Sequence, residues 1–462
     1  MTDNTELFEN MPIKKAIATM AIPTIISQLI NLVYNLVDTF FIGRTGNTYM
    51  IAAASVAYPV FVLTIAFGNL FGIGGGSLMA RLNGRGDTEK AKRVSAYSFY
   101  GAIAIALFYS LILGLFGDPI LRLLGASSEV IGYTKQYVYT VVVVGDVPVI
   151  LAAVMAHLLR NSGYSKQASI GLSMGGVINI VLDPLLMFVI MPEGMEVFGA
   201  ALATLIANII SCIYLLCVYK KVSKNSSLCT SLKKARAMEK REVKDFYSVG
   251  VPSFILTGLF DLANMILNAN IAAYGEESVA ALGIVMKAER LPNAINIGIC
   301  QGMMPIVSYN YASGNKKRMK DTIKDSTILG LAVCFVCLVI FEIFAGSITS
   351  VFVNTGSSTS IGAIETIALS AMFLRIRCIA TPFQFMNYRS SFCMQAVGEG
   401  KGTMIHAIVR ELVFYIPFMF ILDAIFGRTG LVCSIIAGEF CGMVFAIVLL
   451  NKCLRSRKIN PN

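Results

Sequence analysis

The sequence AIPTIISQLINLVYNLVDTFFIGRTG (residues 21–46) is long and apolar enough to cross a lipid bilayer as one α-helix. Near its end it carries a carboxylate, Asp38. A charged side chain near the bilayer centre costs about 2.5–3.5 kcal/mol on insertion scales, so such a residue is by default a functional candidate. The fold must therefore place Asp38 against protein or water and not against lipid.

The whole chain has the composition of an integral membrane protein. Of its 462 residues, 56% are hydrophobic and only 14% are charged, whereas soluble domains average about 25% charged residues. Apolar segments lie at about 15–42, 49–80, 92–116, 130–157, 168–190, 198–219, 246–273, 278–309, 325–346, 362–388, 402–423 and 430–451. We therefore predict an all-α polytopic membrane protein with twelve transmembrane helices and no separate soluble domain.

The basic residues indicate how these helices are oriented. The formal net charge is +11, and most Lys and Arg residues lie in short loops. With the N-terminus inside, only Arg44, Arg122, Lys135 and Arg428 fall in outer loops. Cytoplasmic loops carry an excess of positive charge, so we predict that both termini are cytoplasmic. The basic loops are then 81–93, 158–167, 220–245, 312–324 and 389–401.

Several function classes lack their sequence signatures. The longest basic stretch, residues 220–244, has no aromatic side chain to stack on a base, so no nucleic acid partner is expected. There is no phosphate-binding loop, Ser-His-Asp arrangement or zinc motif. The glycine-rich sequence GIGGGS (72–77) lies inside an apolar segment, which predicts close helix packing. We expect neither an enzyme nor a resident cofactor.

The chain also contains an internal repeat. The sequence quoted above corresponds to GVPSFILTGLFDLANMILNANIAAYG from residue 250, with Pro23 on Pro252 and Gly46 on Gly275. Six helices per repeat is an even number, so both repeats enter the membrane from the same side and are parallel. We predict two six-helix bundles that enclose a central cavity. The predicted domains are residues 1–219, a basic cytoplasmic linker 220–245, and residues 246–462.

Polar residues form a stripe on the first predicted helix and on the seventh. Their spacing of three and four residues places them on one face of an α-helix. A helix that faced lipid would not carry such a stripe, so both stripes are predicted to face protein or water as a polar lining. Hydrogen bonding between helices is the alternative explanation for the amides. The first stripe is Thr24, Gln28, Asn31, Asn35 and Asp38, and the second is Ser253, Thr257, Asp261, Asn264 and Asn268.

A second carboxylate lies at a similar depth to Asp38. Asn179 and Asp183 are four residues apart on one helical face, and Pro184 invites a bend there because it cannot donate a backbone N–H. At 1.5 Å per residue, Asp38, Asp183 and Thr204 all lie roughly 6–10 Å below the outer surface. Two nearby acids cannot both stay ionised in a low dielectric unless a cation separates them. The group is therefore a predicted site for H+ or Na+, with structural pairing as the alternative.

The remaining buried charges leave more than one interpretation open. Lys287, Glu289 and Arg290 can neutralise each other or the carboxylate on the seventh helix. Arg410 and Glu411 are sequence neighbours, so they point about 100° apart on a helix and are expected to have different partners.

Three further titratable residues have weaker signals. Asp146 comes two residues before Pro148 and is equally consistent with lining the cavity or with a structural role. His157 and His406 lie near cytoplasmic helix ends, where an interfacial position is expected.

Taken with the first helix, four other stretches carry a resemblance to a known family. They are GGGSLMARLNGRGDTEKAKR (from 74), LRNSGYSKQASIGLSMGGVINIVLDPLLMF (from 159), GAALATLIAN (from 199) and QGMMPIVSYNYASGNKKRMK (from 301). The chain resembles multidrug and toxic-compound extrusion (MATE) transporters, and is similar to their MepA-like and DinF-like bacterial members. The resemblance covers essentially the whole chain.

The resemblance implies a V-shaped pair of six-helix bundles that exports organic cations in exchange for H+ or Na+. It places the family's cation site on Asp38, Asn179, Asp183 and Thr204, its helix-bending proline on Pro23, and cavity-lining positions on Asn31 and Tyr34. An acidic position on the seventh helix is matched only approximately, by Asp261.

We therefore predict a cation-coupled antiporter that exports cationic amphipathic drugs across the bacterial cytoplasmic membrane, with small organic cations and the lipid bilayer as its partners. Twelve spans suffice for a monomer. The alternative is a flippase of the same superfamily for a lipid-linked saccharide or a phospholipid, whose phosphate would need Arg375, Arg377 or Arg410. A third, more distant alternative is a membrane receptor that transports nothing, which the short loops disfavour.

Overall fold

The computed structural model describes residues 3–353 and 361–456, which form helices joined by short turns. The first six membrane helices are α1 Ile13–Arg44; α2 Thr48–Gly84; α3 Thr88–Leu123; α4, which comprises Ile131–Val138, a π-helical turn Tyr139–Val144 and Asp146–Asn161; α5 Ser165–Leu185 with a π-helical turn Leu186–Ile190; and α6 Glu196–Ser223. The next four are α7 Lys240–Ile271 with a 3₁₀ turn Ala272–Tyr274; α8 Glu276–Ala312; α9 Lys316–Val353; and α10, which comprises Ile361–Cys378 and Thr381–Ala396.

The last part of the chain contains two membrane helices joined without a loop. Gly400–Ile408, a π-helical turn Val409–Tyr415 and Ile416–Ser456 follow one another directly. The helix breaks at Gly427, whose φ of 57° and ψ of −142° are open to glycine and costly for other residues. Residues 400–426 are α11 and residues 428–456 are α12.

Twelve membrane spans account for these helices. Eight stretches are long and apolar enough to cross a membrane, and the bent pairs in α4 (52°) and α10 (45°) add one span each. Gly400–Arg455 is one of the eight but has 56 residues, roughly 84 Å if straight, so it supplies both α11 and α12. The remaining span, α8, has its apolar run interrupted by Asn293, Asn296 and Gln301. The twelve-helix prediction is confirmed for the described residues.

The glycine-rich sequence of α2 makes close helix packing possible. A Cβ on Gly72 would lie 2.6 Å from the His157 ring, and one on Gly74 would lie 2.9 Å from the Cα of Gly250. Such distances exclude any side chain larger than hydrogen unless the partner helix moves away. The packing role predicted for residues 72–77 agrees with these contacts.

The two groups of six helices contact each other mainly through α1 with α8 and α2 with α7. At the end that carries the termini this contact is very close, since a Cβ on Gly302 would lie 2.6 Å from the Cα of Ala21. Ser77 Oγ also donates to the backbone oxygen of Gln395 at 2.5 Å. The groups are therefore closed against each other at this end. The domain boundaries 1–219, 220–245 and 246–462 remain a prediction.

Two short helices cross from one half to the other at the closed end. The N-terminal short helix, Asp3–Glu9, precedes α1 but packs on α8 and α9. The Arg318 guanidinium donates to the backbone oxygens of Phe8 (2.7 Å), Leu7 (3.1 Å) and Met11 (2.6 Å). Arg318 thereby satisfies carbonyl groups that the end of a helix leaves without a partner.

The linker short helix, Leu232–Arg236, is arranged in the opposite sense. It precedes α7 and packs on α3 of the first half. Arg93 of α3 donates to the Ala237 backbone oxygen at 3.1 Å, and it forms an ion pair with Glu242 at 2.9 Å. The segment leading into each half is thus attached to the other half.

One predicted loop is wrong. The sequence predicts a basic cytoplasmic loop over residues 389–401, but α10 continues to Ala396, and Ser390, Ser391 and Gln395 are buried. The polar composition that indicates a loop here instead belongs to a helix end enclosed by α11 and α12. Hydropathy alone cannot distinguish these two situations.

Candidate functional site

The polar stripe of α1 faces protein, as its spacing predicts. Thr24 is fully buried, and its hydroxyl lies 3.1 Å from that of Ser165 on α5. Gln28 Nε2 donates to Gln301 Oε1 on α8 at 3.4 Å, so this part of the stripe lies between the halves. Asn35 Nδ2 donates to its own helix at the Asn31 oxygen, at 2.7 Å. The stripe thus runs from the closed end of the molecule toward the acidic end of α1.

Asn179 is the centre of the acidic cluster. Its Nδ2 donates to Asp183 Oδ1 at 3.1 Å and to Thr204 Oγ1 at 3.2 Å. All three side chains are buried, with Asp183 at 0% exposure. The amide reaches Asp183 because four residues separate the two on α5, and the short turn from α5 to α6 brings Thr204 alongside. Tyr137 of α4 lies beside Thr204 and closes the cluster.

Asp38 of α1 belongs to the same cluster. It acts electrostatically on Asp183, Tyr34 and Tyr137, so α1, α4 and α5 converge here. Three oxygens are buried without a hydrogen-bond partner: Asp38 Oδ1, Asp183 Oδ2 and Asn179 Oδ1. A buried oxygen of this kind is costly unless something donates to it or coordinates it.

The two carboxylates of this cluster have no positive partner among the described residues. Neither Asp38 nor Asp183 forms an ion pair within the part of the chain that the structure describes. The described residues also contain no group of three or more His, Cys, Asp or Glu side chains that could hold a metal ion. The arrangement of two carboxylates, one amide and two hydroxyls offers only oxygen ligands, which suit a proton or a hard cation.

The structure also places Asp261, which is predicted to line the cavity, and Pro23, which is predicted to bend the first helix. Asp261 accepts a hydrogen bond of 3.2 Å from Tyr58 of α2 and lies between the halves, outside the acidic cluster. It is near Arg290 of α8, which is exposed and also acts electrostatically on Tyr34. At Pro23, α1 continues as one helix from Ile13 to Arg44 in this structure.

Glu289 is in a structural ion pair, but the partner expected for it is wrong. Glu289 does not pair with Lys287 or Arg290 of its own helix but accepts two hydrogen bonds from Arg377 of α10, at 2.8 and 2.9 Å. Both partners are buried. Residues two apart on a helix point to different sides, so Glu289 needed a partner from another helix, which sequence spacing cannot reveal.

The prediction for Arg410 and Glu411 is wrong in part. Arg410 forms a bidentate pair with Glu439 of α12, at 3.0 and 2.5 Å. However, Glu411 Oε1 also lies 3.5 Å from Arg410 Nε. The two residues lie in the π-helical turn Val409–Tyr415, which changes the angle between neighbouring side chains and brings them together.

His406 is not interfacial as predicted but fully buried. Its two ring nitrogens lie 3.0 Å from Asn387 Oδ1 and 2.9 Å from Ser391 Oγ. Asn387 in turn donates to Glu439 Oε2 at 2.7 Å, which joins His406 to the Arg410 network.

Asp146 is also buried, and the Thr64 hydroxyl donates to it at 2.8 Å. It therefore does not line an open cavity in this structure, and of the two interpretations of Asp146 the structural one is supported.

A paired bundle of membrane helices with an uncompensated acidic cluster and polar side chains between the halves defines a membrane transporter. The MatE family model matches the chain twice, over residues 23–185 and 252–421. The chain therefore belongs to the MatE family of transporters.

Two relatives and a solved structure match nearly the whole chain. The multidrug export protein MepA of Staphylococcus haemolyticus (strain JCSC1435) is 32% identical over 450 residues, 96% of each chain. MepA of Staphylococcus aureus (strain MRSA252) is 32% identical over 452 residues, 97% of this chain and 96% of the relative. The fold matches a solved outward-facing multidrug resistance MATE family transporter of the MOP superfamily, with a TM-score of 0.90, 22% identity and 100% coverage of both chains.

Proposed function

We propose that this protein is an antiporter that exports organic, mostly cationic amphipathic drugs across the cytoplasmic membrane in exchange for H+ or Na+. The observation that carries the proposal is the acidic cluster, in which Asp183 is fully buried and the partly exposed Asp38, with one buried oxygen, lies near it. Neither carboxylate forms an ion pair with a described residue. Its relatives at 32% identity are named multidrug export proteins. The proposal contains no chemical reaction, so it makes the protein a transporter and not an enzyme.

The coupling step follows from the electrostatics of the cluster. Two carboxylates in a low dielectric repel each other strongly, so the site gains stability when it binds a proton or a cation. Asp38 is on α1 and Asp183 on α5, so the charge of the site changes the force between these two helices. At its other end α1 packs against α8, where Ala21 and Gly302 meet. Ion binding thus acts on the contact that closes the molecule.

The drug would bind between the halves. Tyr34 and the half-exposed Tyr58 offer aromatic faces for a cation, and Asp38 and Asp261 supply negative charge. Arg290, beside Asp261, reduces the negative charge on that side, so Asp38 is the principal attraction. The proposed lining of the drug cavity is Gln28, Asn31, Tyr34, Asn35 and Asp261.

Exchange requires that ion and drug favour different states of the transporter. Only their differential affinities for the two states can couple the two movements. An ion that neutralises Asp38 also removes the attraction for a cationic drug, so the two ligands compete through one charge. We take Pro23, which leaves the Thr19 carbonyl without its helical donor, as the point where α1 bends.

The orientation in the membrane belongs to the same proposal. The termini and the basic loops between α2 and α3 and between α8 and α9 lie at the closed end. With this end in the cytoplasm, the distribution of basic residues follows the positive-inside rule. Both termini are then cytoplasmic, and the acidic cluster lies toward the outside. One chain contains the complete site, so the proposed transporter is a monomer.

The alternative of a lipid flippase has less support. Its substrate phosphate would need free cations in the cavity. Arg377 and Arg410, two of the three candidates for this role, are paired with Glu289 and Glu439.

Ethidium efflux from everted vesicles tests the proposed function, with the pH gradient and the Na+ gradient imposed separately. Asp38→Asn should reduce efflux at least about 100-fold, because a neutral amide can neither release a proton nor attract the drug. The matched control is Asp118→Asn, which removes a half-exposed carboxylate that pairs with Lys135 and is not one of the proposed site residues. Normal efflux by the Asp38→Asn protein, at equal amount in the membrane, would refute the proposal.

A further inference from the structure

A groove of about 470 Å³ lies outside the acidic cluster, on the surface of the first half. Its walls come from α2, α3, the linker short helix and the beginning of α7. The groove therefore joins helices of both halves, and its floor is lined by aromatic rings.

The groove is polar at one end and apolar at the other. Arg236, the last residue of the linker short helix, lies at the polar end. Ala104 and Phe108 of α3 form the apolar end and are exposed. From Tyr97 to Phe108 the groove follows eleven residues of α3, or about 16 Å. This length is close to half the thickness of the hydrocarbon core of a bilayer, about 15 Å. An amphiphile with one charged end matches both the polarity and the length.

The charge of Arg236 is not neutralised by the protein. Its neighbours Lys234 and Arg93 form ion pairs with Glu89 and Glu242. Arg236 is exposed and forms no ion pair with any of the residues that the structure describes. A positive side chain in this position attracts an anionic group at the membrane surface.

Tyrosine hydroxyls supply a second polar contact at the same end. Tyr97 Oη and Tyr247 Oη lie 3.1 Å apart and form a hydrogen bond, which uses only one of the two hydroxyl hydrogens. The accepting hydroxyl keeps its own hydrogen and can donate it to an oxygen in the groove. The Tyr100 hydroxyl, which donates to the Thr230 backbone oxygen at 2.9 Å, holds the linker against α3. Tyrosines of this kind are typical of the membrane–water interface.

We propose that this groove binds an anionic glycerophospholipid. The headgroup phosphate lies on Arg236 and accepts from the free tyrosine hydroxyl, and one acyl chain runs along Ala104 and Phe108. The bound lipid contacts α3 of the first half and Tyr247 of the second, and so it bridges the two halves beside the linker.

The absence of tryptophan from the chain makes a direct test possible. Phe108→Trp places the only indole at the apolar end of the groove, at a site where 59% of the Phe side chain is exposed and substitution is tolerable. In vesicles of phosphatidylcholine and phosphatidylglycerol, with bromine on the acyl chains of one lipid at a time, quenching measures which lipid occupies the groove. Brominated phosphatidylglycerol should show a relative binding constant about fivefold above that of phosphatidylcholine.

Matched variants distinguish lipid binding in the groove from attraction of anionic lipid by the general surface charge. In the Phe108→Trp protein, Arg236→Gln should remove the preference, while Arg241→Gln, which neutralises another exposed arginine outside the groove, should keep it. A single indole at position 335 of α9, where Phe335 is 65% exposed, should report no preference. Inorganic phosphate at millimolar concentration should not displace the lipid, because it lacks the acyl chain.

Lipid binding can also be measured on the wild-type protein, without introducing a tryptophan. Native mass spectrometry from mixed micelles should show one phosphatidylglycerol retained, and none in the Arg236→Gln protein. Equal quenching by the two lipids at position 108, or a preference that survives Arg236→Gln, overturns the proposal. Displacement by inorganic phosphate would also overturn it in favour of a site for the free anion. None of these measurements depends on drug export.

Discussion

The two halves of the molecule use the same helix order but treat buried charge in opposite ways. In the first half, Asp38 and Asp183 are close together, and neither forms an ion pair with a residue that the structure describes. In the second half, Arg377 and Arg410 each form a bidentate pair with a glutamate of another helix. A paired charge holds helices in place, whereas an uncompensated pair of like charges depends on what binds there. Under the proposed function, the first half would respond to ions and the second half would serve as a rigid support.

The largest effects are expected when one buried carboxylate in each half is replaced by its neutral amide. Glu289→Gln leaves the Arg377 charge buried and alone, which should lower the free energy of unfolding by about 3–5 kcal/mol. Asp183→Asn removes a repulsion and should leave stability unchanged or slightly raised, while drug efflux falls at least about 100-fold. The measurements are the thermal midpoint of the detergent-solubilised protein and ethidium efflux from everted vesicles. Equal destabilisation by both substitutions would show that the two halves do not differ.

A medium-sized effect concerns the pH dependence of drug binding. If H+ is the coupling ion, protons at Asp38 and Asp183 compete with a cationic drug, so affinity should rise as pH rises. Where one proton is displaced, the dissociation constant should fall by about tenfold per pH unit. Fluorescence anisotropy of ethidium measures this directly.

A double variant and a salt titration extend this experiment. The Asp38→Asn/Asp183→Asn protein should bind ethidium weakly, and its affinity should not depend on pH. If Na+ is the coupling ion, the same competition appears on adding NaCl, with KCl as the control for ionic strength. A wild-type affinity that changes with neither pH nor Na+ would contradict the assignment of the site.

The smallest effect is expected at the N-terminal short helix. Arg318→Gln removes the charged donors to Leu7, Phe8 and Met11 and should cost about 2 kcal/mol of local stability. Hydrogen exchange of residues 3–11 should accelerate roughly 30-fold, while α12 exchanges at its usual rate. Arg93→Gln is the matched variant for the linker short helix and should accelerate exchange only there. Unchanged exchange at residues 3–11 would mean that Arg318 does not hold this helix.

The fold was largely predictable because membrane helices satisfy their backbone within one continuous segment. Apolar runs gave twelve spans, and the positions of Asn179, Asp183 and Thr204 could be related through helical spacing and depth below the surface. The structure brings these three residues together, and it places Asp38 near them. The helical spacing of residues and their depth below the membrane surface depend only on their own segment, so both can be worked out from the sequence.

The partners across helices could not be predicted. Nothing in the sequence near Glu289 points to Arg377, and nothing near Arg410 points to Glu439, since each pair joins distant helices. The π-helical turn at Val409–Tyr415 also has no sequence signal that we could identify. Buried polar helix ends, as in α10, have the composition of loops and differ from them only in what surrounds them.

The docking of Asp3–Glu9 on α8 and α9 has a practical consequence for anyone who handles this protein. A purification tag or fluorescent reporter joined directly before Asp3 would lie four residues from Leu7, whose backbone oxygen accepts from Arg318. We expect such a fusion to compete with Asp3–Glu9 for the surface that α8 and α9 offer, and so to change the conformers that an assay samples. Tags are therefore better joined after α12, and removal of an N-terminal tag should be checked for its effect on transport.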